Sequence, residues 1–506
     1  MGLRVNLKPL FDKKLGRQNY YTNLYDLNVK SDGVTDNSST FSQLLSTVTY
    51  YVPPGTFLIS NSCTILSNLV FAKGAVLKVA TGATVILKGK INAGNQEIFE
   101  DAGGTVDLMQ SENEYNLGWF KSGNNTINKR WDFAKKAMTT FARKTLRIPK
   151  PYPSQPGTEL TGNRAYWLFD GELKFEDKHN SLTIYVDGEF KASAPTANLF
   201  NFEDTSKPEN LYFYGDVQAI VPPSINVGSA INIKGTARVT FWGNVILNGF
   251  RTPVKIGGPD QVAPISDVRF FQLQCSFFYE TAVSIYGKNG FSTQSVEIDR
   301  LTATAAQTGG LNALEIKGSI RNIKVGDVTY ATDIAKNGYT ANDAENVVLL
   351  ESNAEGSIIK VEIDSVYQAN ANNGVKTATN ATTPQTGDRI QYLKVRNLFA
   401  KYNGSAMVIG DCNTIEIESI HNLSDVTINA SASYVKIQAG AGLRNVTDNG
   451  LYTIINNVGK QTRGGGVPPA PAVNWPIGSI IRETSDSKLY LRVAKANLAS
   501  DFILLN

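Results

Sequence analysis

Nine short segments between residues 182 and 418 repeat one pattern: an apolar residue, an outward position, a second apolar residue, then two or three turn-like positions. They are Leu182–Tyr185, Leu211–Tyr214, Val239–Trp242, Val268–Phe271, Val296–Asp299, Ile323–Gly326, Val361–Asp364, Leu393–Arg396 and Ile415–Glu418. Their starts are 29, 28, 29, 28, 27, 38, 32 and 22 residues apart. Self-similarity at such a period is the mark of a solenoid, in which one coil cannot bury its apolar face alone. Alternation with period two makes the repeating element a strand. Outward positions then stack into columns about 4.8 Å apart per coil.

A second series precedes most of these segments: Ala230–Gly235, Pro253–Gly258, Ala282–Gly287, Ala313–Gly318, Val347–Ser352 and Ala406–Asp411. Several end in Gly, Ser or Asp, as a tight turn requires. The step from Ile233 to Val239 is 6 residues and that from Ile316 to Ile323 is 7, too short for the crossover helix of a βαβ unit. A β-sandwich has no reason to hold a period near 28 residues. The expected fold is all-β: a right-handed parallel β-helix with two sheet faces per coil, short N-terminal capping helices and a small C-terminal β module.

Composition narrows the function. Net charge is +4 over 506 residues and no block of basic residues occurs, so nucleic-acid binding is not indicated. Cys63, Cys275 and Cys412 are far apart and form neither a disulfide framework nor a metal spacing. Cys275 and Cys412 read as small buried residues. With only His179 and His421, a histidine metal site has little material, and no metal or other cofactor is expected. No apolar stretch is long enough to insert in a membrane. The N-terminus lacks the continuous apolar run of a signal peptide, which argues against secretion by that route.

Residues 1–22 form a polar lead. In Asp32-Gly-Val-Thr-Asp36-Asn-Ser38 the polar residues can cap a helix whose apolar face is Phe41, Leu44 and Leu45. Tyr50-Tyr-Val-Pro-Pro-Gly55-Thr-Phe-Leu-Ile-Ser60 is a strand broken by a Pro-Gly turn. A degenerate second copy has Leu117–Phe120, a helix with Trp131, Ala134, Met138 and Phe141 on one stripe, and Leu146–Tyr152. The run from Asp32 to Ser38 followed by Val52–Ile59 resembles the N-terminal motif of the pectate-lyase-like β-helix superfamily, and most resembles its version in bacteriophage tailspike depolymerases. Phe71–Gly89 and Gln96–Val106 resemble the first coils of those proteins. With the ladders, the resemblance covers roughly residues 23–460. It implies a homotrimeric tail protein of the virion, held to other phage tail or baseplate proteins. It also implies assembly in the host cytoplasm and action at the host surface on a capsule or O-antigen polysaccharide. The motif does not carry catalytic residues, which vary across that family.

The expected organisation is a lead at 1–22, a cap region at 23–150, the β-helix at 151–462, a Gly/Pro linker at 463–471 and a β module at 472–506. In the module, Trp475–Arg482 and Lys488–Val493 read as two strands. It is too small to be stable alone, and by the resemblance it is a trimerising tip. The widened gap between Ile323 and Val361 places a loop near Asp333–Glu345, of the kind that walls a groove.

In the first ladder the outward column runs Tyr185, Tyr214, Trp242, Phe271, Asp299, Gly326, Asp364, Arg396, Glu418. Its neighbour includes Arg269, Glu297, Lys324, Glu362, Lys394 and Glu416. Exposed aromatic faces suit the C–H faces of sugar rings, so Tyr185, Tyr214, Trp242 and Phe271 are candidate substrate-binding residues. They equally suit contact with a neighbouring subunit. Glycoside hydrolysis needs one carboxyl as acid and another as base or nucleophile. Glu297 and Asp299 lie on one strand face, about 7 Å apart at Cα, and Asp364 lies two coils on, about 10 Å away. The alternating signs of Glu297, Lys324, Glu362, Lys394 and Glu416 also fit a solvated ladder of surface ion pairs. The second ladder offers Tyr286, Glu315, Lys317 and Glu351. An acid beside Lys suits a base or nucleophile. Tyr and Lys beside a uronic acid would serve β-elimination.

Three functions compete: a phage tailspike that hydrolyses a bacterial surface polysaccharide, or cleaves it as a lyase; a non-catalytic receptor-binding spike; and a secreted lyase acting on plant or algal polymer. No Asp cluster of the calcium-dependent lyase kind is present. Binding is expected at the boundary between Phe271 and Asp299.

Overall fold

The computed structural model describes residues 21–108, 114–121, 126–137, 145–151, 155–161, 164–176, 181–202, 209–223, 225, 227–261, 263–305, 312–332, 344–353, 355–368, 371–379, 389–400, 405–410, 412–422, 424–429, 432–439, 443–448, 452–455, 462–463, 480–483, 489–492 and 502–505. The chain forms two compact units, residues 1–140 with 144–149, and residues 141–143 with 150–506.

The first unit is a short parallel β-helix with three sheets. One orders Thr22–Asn23, Thr49–Val52, Asn68–Phe71 and Ile91–Asn92. The second runs from Asp32–Asp36 through Gly55–Ile59, Ala75–Ala80 and Phe99–Ala102 to Phe120–Lys121. The third stacks Cys63–Ile65, Thr84–Leu87 and Thr105–Asp107. The expected helix is Ser38–Ser42, packed beside Cys63–Ile65. Its apolar face is narrower than the sequence suggests: Phe41 and Leu44 are buried, but Leu45 is 62% exposed because the helix has already ended. Asn37 does not cap it; its amide instead donates to the carbonyls of Lys30 and Thr35, at 2.9 Å each. The second helix, Ile127–Ala137, buries Trp131 and Ala134; Met138 and Phe141 lie outside the described residues.

Asp36 ties this unit's first turn to the next coil. It accepts from the backbone of Ser38 (3.0 Å) and Ser60 (2.9 Å), from the Asn61 amide (2.8 Å) and from the Ser38 hydroxyl. Burial alone would raise its pKa; the donors from Ser38, Ser60 and Asn61 outweigh that and hold it at about 2.

The second unit is a longer parallel β-helix. One sheet stacks Leu173–Phe175, Thr196–Phe202, Val227–Ile233, Val254–Ile256, Thr281–Gly287, Asn312–Gly318, Ala344–Ser352, Ala371–Thr379, Ser405–Ile409, Ser424–Ile428 and Leu443–Asp448. These include the second series of the sequence. The nine ladder segments lie in the other sheet, the first two in the short strands Thr183–Val186 and Glu209–Tyr214 and the other seven in the first part of strands far longer than expected, such as Thr236–Asn248, Ile265–Phe278, Thr293–Ala305 and Ile320–Thr332. Each long strand bends where the sequence reads as a turn. Along Ile265–Phe278 the inward residues are Val268, Phe270, Leu273, Cys275 and Phe278, with two consecutive outward residues, Phe271 and Gln272, at the bend. A coil therefore has three runs rather than two. The third is hidden in the sequence because the outward pair interrupts the alternation; pairing lapses at the bend, after Phe270 with Ile298, and resumes at Leu273 with Leu301.

Registry holds the core together. Phe213, Phe241 and Phe270 stack inside at 4.4 and 4.8 Å between ring centroids. Asn232 donates to Asn201, Asn346 to Asn312 and Asn373 to Asn346, each at 2.9 Å, so buried amides satisfy one another along the axis. Ser181, Asn210, Arg238 and Asp267, one per coil and each just before a ladder segment, share a left-handed backbone with φ of 59, 57, 62 and 54°. Cys63, Cys275 and Cys412 are buried thiols. Near the C-terminus, Ile480–Glu483, Leu489–Arg492 and Phe502–Leu505 pair antiparallel, adding a third strand to the two expected. Of the loop expected at Asp333–Glu345, residues 333–343 lie outside the described set. No helix among the described residues is long and apolar enough to cross a membrane.

Two outcomes test this account. A Cβ at Gly326 would lie 2.1 Å from the Asp299 carbonyl oxygen of the preceding coil. Gly326→Val should therefore lower stability by several kcal/mol, about 3 or more, in denaturant melts. Asp36 contributes stability in full above its unfolded value, and that contribution is lost as pH falls through the folded value of about 2. Asp36→Asn should be less stable than the native chain at pH 7, and the gap should close on acidification from about pH 4 to about pH 2.

Candidate functional site

The first ladder delivers its aromatic column. Tyr185 and Tyr214 stack at 5.4 Å, Tyr214 and Trp242 at 6.1 Å, and Trp242 and Phe271 at 4.6 Å, with interplanar angles of 24, 7 and 27°. Tyr185, Tyr214 and Trp242 are 38, 36 and 43% exposed. The column differs from a row of open platforms in one respect. Rings stacked along the solenoid axis cover one another's faces and turn their edges to solvent. The Tyr185–Tyr214 and Tyr214–Trp242 steps are wider than the ~4.8 Å coil rise, so these rings are slipped against one another. At the other end the Arg269 guanidinium covers Phe271, 4.5 Å from the ring centroid.

Beyond Phe271 the predicted acids are joined to cations. Arg269 reaches both Glu297 and Asp299 at 3.4 Å, and Lys324 reaches Glu297 at 3.1 Å. Asp364 lies in register two coils beyond Asp299, past Gly326, and pairs with Arg396 at 2.8 Å. Farther along, Lys394 pairs with Glu418 at 2.6 Å and the Tyr392 hydroxyl meets Glu416 at 3.2 Å. A depression of about 360 Å³ does lie between Trp242, Phe271 and Asp299, floored by Gly243, Asn244, Gln272 and Arg300. Asp216 fixes Asn244 there, accepting from its backbone at 2.9 Å and its amide at 3.0 Å.

The larger concavity is on the other sheet. A cleft of about 510 Å³ crosses five successive strands, from Asn198 to Glu315. It exists because the strand Val254–Ile256 is three residues long between seven-residue neighbours. After Ile256 the chain leaves the sheet at Gly257, whose φ is +79° and where a Cβ would meet the Tyr286 carbonyl oxygen at 1.9 Å. Gly258, Pro259 and Asp260 rise as one wall, and Thr252 and Glu280 stand on the other side. Along the floor, register aligns Asn232, Lys255, Ser284 and Glu315 on consecutive coils.

Of the predicted residues, Tyr286 and Glu315 line this cleft. Lys317 stands beside it, bridging Glu315 at 2.9 Å and Glu351 at 3.4 Å. Burial would lower the Lys317 pKa; the two carboxylates outweigh it and raise it. Burial also raises the Tyr286 phenol, helped by the charge of Glu355. Glu351, expected outward, is only 8% exposed. Trp242, Tyr214, Tyr185, Phe271, Glu297, Asp299 and Asp364 are on the first-ladder sheet, so the predicted residues divide between two faces.

Asp260 and Glu280 are not among the expected residues, since they sit in turns outside either ladder. Asp260 pairs with Lys234, whose hydrogen bond chiefly holds its carboxyl below the usual range. Glu280 accepts from Arg251 at 2.6 Å and from the Thr252 hydroxyl at 3.1 Å. Equally unexpected is a third-run column, Gln218, Ile246, Gln274, Thr302, Thr329, Tyr367, Phe399 and His421, without a Lys, Arg, Asp or Glu over eight coils. Its last three rings stack at 4.6 and 4.4 Å. Among the described residues no group of three or more His, Cys, Asp or Glu is placed to hold a metal ion.

If the aromatic column is a self-packed ridge, Trp242→Ala should cost about 1–3 kcal/mol of stability, from two lost stacking contacts, in equilibrium unfolding.

No family model matches the sequence, and no curated protein is similar to it. Among solved structures it is similar to the Yersinia enterocolitica family 28 exopolygalacturonase, with 9% identity over 88% of this chain and 78% of that one. The TM-score is 0.20, and neither fold nor function is carried across from it.

Proposed function

We propose that the protein binds and depolymerises a bacterial surface polysaccharide, with the polymer lying along the five-coil cleft. The observation that carries this reading is the cleft's lining. It is polar throughout: half-buried Asn198 and Ser284 and the more deeply set Asn232, Ser229, Thr252 and Thr281 stand among Lys234, Lys255, Asp260, Glu280 and Glu315, a surface suited to a hydroxyl-rich polymer. Hydrolysis is the first chemistry. Glu315, with Lys317 beside it, takes the base or nucleophile role, and Asp260 and Glu280 are the other carboxylates at hand. The Tyr286 phenol, whose raised pKa keeps its proton, can deliver it to the leaving oxygen. β-Elimination is the second, favoured by Glu315 and Tyr286 in one cleft: Glu315 would take the C5 proton of a uronate while Tyr286 protonates the departing oxygen. The resemblance of Asp32–Ser38 and Val52–Ile59 supports the phage setting, in which the chain is a homotrimeric tail spike acting at the host surface.

Glu315→Gln should lower the rate of polymer shortening at least ~100-fold while binding persists. Ultraviolet absorbance of unsaturated ends would assign elimination; its absence alongside new reducing ends would assign hydrolysis. Shortening by Glu315→Gln at the native rate would remove Glu315 from the chemistry. Binding without shortening of any host polysaccharide would leave a receptor-binding spike, the reading that the pairing of Glu297, Asp299, Asp364, Glu315 and Glu351 with cations favours.

A further inference from the structure

The cleft's carboxylates are all ion-paired. Asp260 is joined to Lys234, Glu280 to Arg251 and Glu315 to Lys317. Lys317 is shared with Glu351. Lys255 is left over: its ammonium makes no hydrogen bond or salt bridge among the described residues, and its charge reaches Asp260 only through space. It lies at the base of the cleft with Asn232 and Ser284 on the coils to either side. The chain reverses at Gly257 just beyond it, so Lys255 stands where the sheet is notched and a ligand can approach closest. An ammonium in a partly enclosed site with no anion paired to it favours a ligand that brings one. Neutral sugars would leave it uncompensated.

We propose that Lys255 is the specificity determinant for an acidic polysaccharide, holding the carboxylate of a uronic acid or similar acidic sugar. This rests on the reading of the cleft as the polymer site and adds the substrate class to it. The contact is electrostatic and is made before any bond changes. It acts on binding of the ground state and the transition state alike.

The test uses the full chain and a panel of bacterial capsular and O-antigen polysaccharides, some neutral and some containing uronate, each acidic member also supplied with its carboxyls reduced to primary alcohols. The polymers shortened should be acidic. Lys255→Met should raise KM roughly 10–100-fold with kcat little changed, as loss of one charge-assisted hydrogen bond predicts. Carboxyl reduction should weaken the native protein by a similar factor and should not weaken Lys255→Met further. The inference is overturned if the shortened polymer is neutral, if carboxyl reduction is without effect, or if Lys255→Met leaves KM unchanged. Glu315→Gln separates the two proposals: it should keep the carboxylate-dependent binding and lose turnover. Its full activity, with the Lys255 effect intact, would sink the catalytic reading alone. If no polymer on the panel is bound or shortened, both fall.

Discussion

In-register stacking of one coil on the next is the constraint from which everything else in this protein follows. Backbone hydrogen bonds run along the solenoid axis, so each side chain meets its counterpart a coil away rather than a distant partner. Inside, that places Phe241 between Phe213 and Phe270, and Asn346 between Asn312 and Asn373. Outside, it places Arg269 beside Glu297 and Lys255 beside Ser284. A residue's surroundings are set by what stands 22 to 38 positions away in the ladder segments, which is why columns, not single residues, are the units of function here.

This constraint also explains which parts are legible in the sequence. Leu182–Tyr185 and its eight successors announce themselves because inward and outward positions alternate, and the outward aromatics and acids are where the alternation puts them. The third run is hidden at the Phe271–Gln272 bend, where two outward residues in succession look like the end of a strand although the ladder continues to Phe278. The cleft is hidden for a different reason. It is made by an absence, the shortness of Val254–Ile256, and by walls from the turn residues Asp260 and Glu280, whose neighbours in space no periodicity reports. Gly257-Gly258-Pro259 is visible as a turn; that the turn leaves a notch depends on the adjoining coils. Likewise the column from Tyr185 to Phe271 can be read from the sequence, but only ring geometry shows edges rather than faces turned outward.

The two faces use charge differently. On the first ladder, Arg269 with Glu297 and Asp299, and Lys324 with Glu297, make a surface network in which the exposed pairs contribute little to stability each. In the cleft, partial burial makes the same residue types consequential: Lys317 between Glu315 and Glu351 orients one carboxylate while shielding another. Equal formal charges thus mark a solvated ridge on one side of the coil and the proposed site on the other. Depth, not residue type, separates them.

The five-strand span of the cleft has a mechanical side. A solenoid loses structure most readily by fraying from an end, one coil at a time, because each coil leans only on its neighbours. A polymer seated from Asn198 to Glu315 touches the strands Thr196–Phe202, Val227–Ile233, Val254–Ile256, Thr281–Gly287 and Asn312–Gly318 together. Bound as proposed, it would act as a splint laid across the grain, turning five stepwise openings into one. The coil at Val254–Ile256, whose strand is only three residues long, would gain most from such a splint.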